Sequence, residues 1–117
     1  MVTGLGVDLV SVARIERALE RHANFRTKLF SEGERAYCES QKRPALHYAA
    51  RFAAKEAAIK ALGRAVPFKD VEILKNAQGR PYVRFHGKAL ELAGSAKAQV
   101  SLSHTAEFAC AVLILER

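Results

Sequence analysis

The chain has no tryptophan, one methionine, three prolines and only two cysteines. Cys38 and Cys110 are too few and too far apart for a disulfide scaffold or a zinc site. No apolar run approaches the roughly 18–20 residues of a membrane span, so no membrane association is expected. The first residues lack a basic segment followed by an apolar block; no secretory leader is expected, and the cytoplasm is the expected compartment. The chain also lacks G-x-x-x-x-G-K, G-x-G-x-x-G and G-x-S-x-G, which excludes the common phosphate loops and the nucleophile elbow. Three tyrosines and six phenylalanines, nowhere clustered, make a poor platform for stacking nucleic-acid bases. Acid is scarce as well. Twelve Asp and Glu face 19 Lys and Arg, a net charge of +7 that attracts polyanions. Nucleic acid, a polyphosphate cofactor and an acidic protein all qualify.

At 117 residues, half of them hydrophobic, the chain reads as one domain, residues 1–117, large enough for a core. Its centre is Arg51-Phe52-Ala53-Ala54-Lys55-Glu56-Ala57-Ala58-Ile59-Lys60-Ala61-Leu62-Gly63. This is the second half of a helix that starts near Pro44 and ends at Gly63. Seven alanines lie between Ala49 and Ala61, and bulky apolar residues stand on several faces, so the helix is expected to be buried. Its charges then need explaining. Glu56 and Lys60 stand one turn apart, which fits a surface ion pair worth ~0.2–0.5 kcal/mol. It also fits a site, because slim alanines admit close neighbours and a desolvated carboxylate needs a metal or a cation.

Met1 to Val10 alternates as a strand, with Gly4, Gly6 and Asp8 on one face. A glycine-lined face signals close backbone approach, and Asp8 at its end is either a turn cap or a ligand. Ser11 is placed to cap a helix to about His22, with Val12, Ile15 and Leu19 inward. Arg14, Arg17 and Arg21 fall on nearly the opposite side. They form a solvated face or a docking surface for an acidic helix. Phe25, Leu29 and Phe30 anchor a connecting segment. Ser31-Glu32-Gly33-Glu34 matches a capping box that opens a short helix holding Tyr37 and Cys38. After the long helix, Val71 to Leu74 and Tyr82 to Phe85 read as paired strands. A modest helical pattern covers Gly87 to Ala96. Val100 to Ser103 and Phe108 to Leu115 make a final hairpin around His104. His22, His47 and His86 show no metal-ligand spacing and receive no role. The class is α+β: one long buried helix packed on a mainly antiparallel sheet. Asp8 and Glu56, two carboxylates among many cations, suit Mg²⁺ beside substrate phosphates.

Four segments, Gly4-Leu5-Gly6-Val7-Asp8-Leu9-Val10, Arg51 to Gly63, Gly79-Arg80-Pro81 and Ser101-Leu102-Ser103-His104-Thr105, occur in this order. Together they resemble the short bacterial holo-acyl-carrier-protein synthases, which are 4′-phosphopantetheinyl transferases, over essentially the whole chain. Arg80 stands where that family more often has lysine, which keeps the cation. The resemblance implies transfer of the phosphopantetheine arm of coenzyme A to a serine of apo acyl carrier protein, releasing adenosine 3′,5′-bisphosphate. It implies Mg²⁺ on Asp8 and Glu56, and Lys60 on the phosphates. Either Glu56 or a water would accept the serine proton. Arg51, Arg80 and His104 would serve the nucleotide end, with Gly79 and Pro81 shaping the adenine pocket. Arg14, Arg17 and Arg21 would dock the carrier protein. It further implies a homotrimer with the cofactor in clefts between subunits, acting in fatty acid biosynthesis. Two other readings stand beside it. A basic nucleic-acid-binding module would lose affinity steeply with salt and ignore coenzyme A. A purely trimerising subunit would have no need of Asp8, Glu56 and Lys60 together.

Overall fold

A computed structural model describes residues 1–117. The elements run β1 (Val2–Ser11), α1 (Val12–Arg21), α2 (Phe25–Leu29), α3 (Glu32–Glu39), α4 (Pro44–Leu62), a 3-10 turn (Phe68–Asp70), β2 (Val71–Lys75), β3 (Pro81–Phe85), α5 (Gly87–Ala93), β4 (Lys97–His104) and β5 (Phe108–Glu116). The strands form two antiparallel sheets rather than one. A three-stranded sheet has the order β1-β5-β4, and β2-β3 is a separate hairpin. The helices start where local chemistry allows. Ser11 Oγ accepts from the Arg14 N–H at the head of α1, and Ser31 and Glu34 form both halves of a capping box on α3. Pro44 opens α4, and Gly63 closes it in the left-handed conformation.

All seven alanines between Ala49 and Ala61 are buried, and α4 lies across the three-stranded sheet. The glycines of β1 make that possible. A Cβ on Gly6 would sit 1.8 Å from the Ala57 carbonyl oxygen, and one on Gly4 would sit 2.3 Å from that of Ala61. Two strand residues span about 6.6 Å and four helix residues about 6 Å, so strand and helix step past each other nearly in register. One further step brings Asp8 toward the next turn of α4, beside Glu56. The glycine face of β1 is therefore the packed one. Its apolar face is turned out, with Leu5, Val7 and Leu9 each more than half exposed.

Aromatic packing closes the other side of α4. Phe30 is fully buried edge-on to Tyr48 at 4.9 Å, and Phe25 stacks on Phe52 at 6.2 Å. Burying a ring such as Phe30 contributes about 1.5–3 kcal/mol. Anchored at both ends, the connecting segment winds into the single turn α2, which its sequence pattern did not announce because five residues are too short to carry a period.

Candidate functional site

Two clusters of charge flank α4, and helical geometry sets them apart. Glu56 and Lys60 form one i,i+4 pair; His47 and Arg51 form another, nine residues earlier. At 100° per residue, nine residues is a half-turn, so the pairs face opposite sides of the helix.

On the β1 side, Lys60 does not pair with Glu56. Its ammonium donates to the Val7 carbonyl at 2.9 Å and approaches Asp8 Oδ1 at 3.5 Å. Helical side chains lean toward the N-terminus, which carries Lys60 back to the end of β1. Glu56 accepts no hydrogen bond within the chain. Burial, then the neighbouring Asp8 carboxylate, push its pKa up, and Lys60 only partly offsets them. Two carboxylates sharing one lysine leave negative charge uncompensated. No third His, Cys, Asp or Glu joins them. Hard oxygen donors, few in number and partly open to solvent, fit Mg²⁺, which keeps several waters and uses one or two carboxylates. The residues present therefore fit the ion that the resemblance implies.

On the β4 side, a cleft of about 170 Å³ is lined by His47, Ala50, Arg51, Lys75, Gly79, Pro81, Leu102 and His104. Arg51 is only 2 % exposed. Its guanidinium lies over the Tyr37 ring at 4.2 Å, and its Nε has no partner within the protein. Lys75 Nζ lies over the same ring and donates to the Tyr37 hydroxyl at 2.7 Å. A buried guanidinium with a free donor, next to a lysine and with no acidic residue in the lining, is an anion site. Gly79 (φ +80°) sits in the tight turn between β2 and β3. There Asn76 Oδ1 accepts from the N–H groups of Gln78 and Arg80. Of the expected nucleotide-end residues, Arg51, Gly79, Pro81 and His104 meet in this cleft. Arg80 stands exposed on the adjoining turn and does not line it. Lys75 and His47 line it without having been singled out from the sequence. The one available signal was the i,i+4 spacing of His47 to Arg51.

Arg14, Arg17 and Arg21 are exposed along α1, which begins at Val12, four residues after Asp8. Burial pushes the Cys38 thiol up to about 12, which keeps it from acting as a thiolate.

A family model for the 4′-phosphopantetheinyl transferase superfamily matches residues 4–113. The chain is 45% identical to a holo-[acyl-carrier-protein] synthase of Syntrophus aciditrophicus, covering 99% of this chain and 97% of the relative. It is 42% identical to the enzyme of that name from Geobacter metallireducens, covering 100% and 99%. Its fold superposes on the holo-(acyl-carrier-protein) synthase of Bacillus anthracis, solved in complex with CoA (3′,5′-ADP). The TM-score is 0.84 at 33% identity, covering 99% of this chain and 97% of that one.

Proposed function

Since the chain belongs to the 4′-phosphopantetheinyl transferase superfamily, we propose that it is a Mg²⁺-dependent holo-acyl-carrier-protein synthase. It takes coenzyme A, transfers the 4′-phosphopantetheine group to a serine of apo acyl carrier protein, and releases adenosine 3′,5′-bisphosphate. The observation that carries this reading is the pair Asp8 and Glu56, charged, close and short of cations, beside Lys60.

Asp8 and Glu56 would hold the ion, which when bound would supply positive charge against the diphosphate. Lys60, with three donors on a flexible stem, moves from the Val7 carbonyl to the phosphate oxygens as negative charge shifts to the leaving group. The serine proton would leave to water rather than to Glu56, since a carboxylate holding a cation is a poor base. Phosphoryl-type transfer depends on alignment and charge stabilisation, so a site without a covalent nucleophile is sufficient. Arg51, Lys75 and His104 take the phosphates of the nucleotide end, with Arg80 at the rim and Gly79 and Pro81 against the base. Arg14, Arg17 and Arg21 dock the acidic carrier next to Asp8.

The two clusters face opposite sides of α4, so one coenzyme A reaches both most directly when they come from different subunits. The outward Leu5, Val7 and Leu9 supply an apolar face for such an assembly, which we assign as a homotrimer. Light scattering on the eluted protein tests it; a monomeric mass with full activity contradicts it. Two unpaired thiols suit the cytoplasm, where the modified carrier serves fatty acid biosynthesis. The decisive assay incubates the protein with coenzyme A, Mg²⁺ and apo acyl carrier protein and weighs the carrier by mass spectrometry. The carrier gains one phosphopantetheine group with the wild type and none with Asp8→Ala or Glu56→Ala. Near-normal transfer by either variant at saturating Mg²⁺ contradicts the metal assignment.

A further inference from the structure

The cleft on the β4 side contains a residue whose charge is adjustable. His47 comes from α4, one turn before Arg51, and lines the same cavity. Its ring meets the Tyr37 ring of α3 edge-on at 5.7 Å and the His104 ring of β4 at 6.2 Å. Lys75 enters from β2, and Arg51 from α4 itself. The groups facing His47 are the guanidinium of Arg51, the ammonium of Lys75, the imidazole of His104 and the phenol of Tyr37, with no carboxylate among them. Burial first, then Arg51, His104 and Lys75, hold the imidazole below its ordinary range. In the free protein these neighbours disfavour the imidazolium. A dianionic phosphate beside Arg51 would reverse the local field, favouring the imidazolium and giving it a partner.

We propose that His47 is a further phosphate-binding residue of this cleft, becoming cationic only when the anion enters, so that nucleotide binding takes up a proton. The inference rests on the reading of this cleft as the nucleotide end of coenzyme A. It adds a residue that motif and spacing left without a role. It also carries a sign. Above about pH 7 a phosphate monoester is already mostly dianionic. Proton uptake at His47 then makes affinity fall as pH rises, with a slope that loss of the imidazole removes.

The test is calorimetric titration of adenosine 3′,5′-bisphosphate into the intact protein at pH 7.5, in two buffers of different ionisation enthalpy. The wild type should show net proton uptake. His47→Gln should lose at least half of it and bind about tenfold more weakly, the equivalent of one pKa unit. His47→Lys, with a permanent charge, should restore the affinity without restoring the uptake. That separates a charge role from a merely structural one. Uptake unchanged in His47→Gln, or absent in the wild type while the ligand binds, overturns the inference and leaves the function standing. Uptake retained in His47→Gln and abolished in His104→Gln moves the role to His104 and overturns it equally. If the bisphosphate fails to bind the wild type, the nucleotide reading of the cleft falls, and this inference falls with it.

Discussion

Lys55 and Glu56 are neighbours on α4, yet their surroundings are opposites. Lys55 and its partner Glu34 are both fully buried, 2.9 Å apart. Lys55 also donates to the carbonyls of Phe68 and Val71. Glu34 accepts from the backbone N–H groups of Ser31 at 2.8 Å and Ile73 at 3.0 Å. Burial lowers the lysine pKa and the Glu34 charge opposes that. The pair ties α3, α4 and β2 together with its hydrogen-bonding capacity nearly used up. Glu56 faces the other way. It is only partly buried, accepts nothing, and is held against a second carboxylate. A buried charge with all its partners holds the structure together; one left short of partners where solvent can reach marks a place for a ligand.

The largest expected effect is on chemistry alone. Glu56→Gln should reduce transfer by about a thousandfold or more, the scale of losing a preorganised electrostatic group. It should leave the metal-free fold as stable as before or more so. The sign follows from linkage. The folded pKa of Glu56 lies above its unfolded value, so its ionisation opposes folding at neutral pH, and that cost is relieved as pH falls through the folded pKa. Melting curves without metal should show the wild type gaining on Glu56→Gln as pH drops from 7 toward 5. A wild type that loses ground to the variant over that range breaks the contrast.

Lys55→Met should do the reverse. It leaves Glu34 charged, buried and unpaired, at a cost of about 3–5 kcal/mol in denaturant unfolding. Adding Glu34→Leu should recover much of this. It will not recover all, because Glu34 also caps Ser31 and satisfies Ile73, functions worth about 1–2 kcal/mol together. A neutral single variant would mean the pair holds nothing. Gly6→Ala is smaller but touches both regions. Its Cβ must displace the Ala57 backbone, costing about 1–3 kcal/mol and shifting Asp8 relative to Glu56. Activity should fall more than stability accounts for; equal losses would make the close approach merely structural. Arg17→Glu should be mildest, raising KM for carrier protein roughly tenfold at low salt and less as salt is added. KM for coenzyme A should stay unchanged, and parallel changes in both would argue against a docking helix.

Much of this was legible in local pattern. The capping box at Ser31 and Glu34 and the ends of α4 depend on neighbours a few residues away, and the bare glycines of β1 announced a close backbone approach without naming its partner; all appear where the sequence puts them. Long-range pairing was not legible. The i,i+4 rule offered Glu56 as the partner of Lys60, but the end of β1 took it. Glu34 read as a cap gave no sign of Lys55, 21 positions on. Lys75 joined the cationic cleft only because β2 brings it to Tyr37 and Arg51, and His47 only because β4 places His104 against that face of α4. Strand alternation alone was silent about side; only the bare glycines marked the packed face of β1, whose apolar face turns outward.

The proposed chemistry turns on Asp8 and Glu56 acting as one divalent-ion site. Calorimetric titration of Mg²⁺ into the coenzyme A-saturated protein measures that without turnover. We expect one ion per subunit for the wild type and loss of that binding in both Asp8→Asn and Glu56→Gln. Undiminished binding in either variant would contradict the claim.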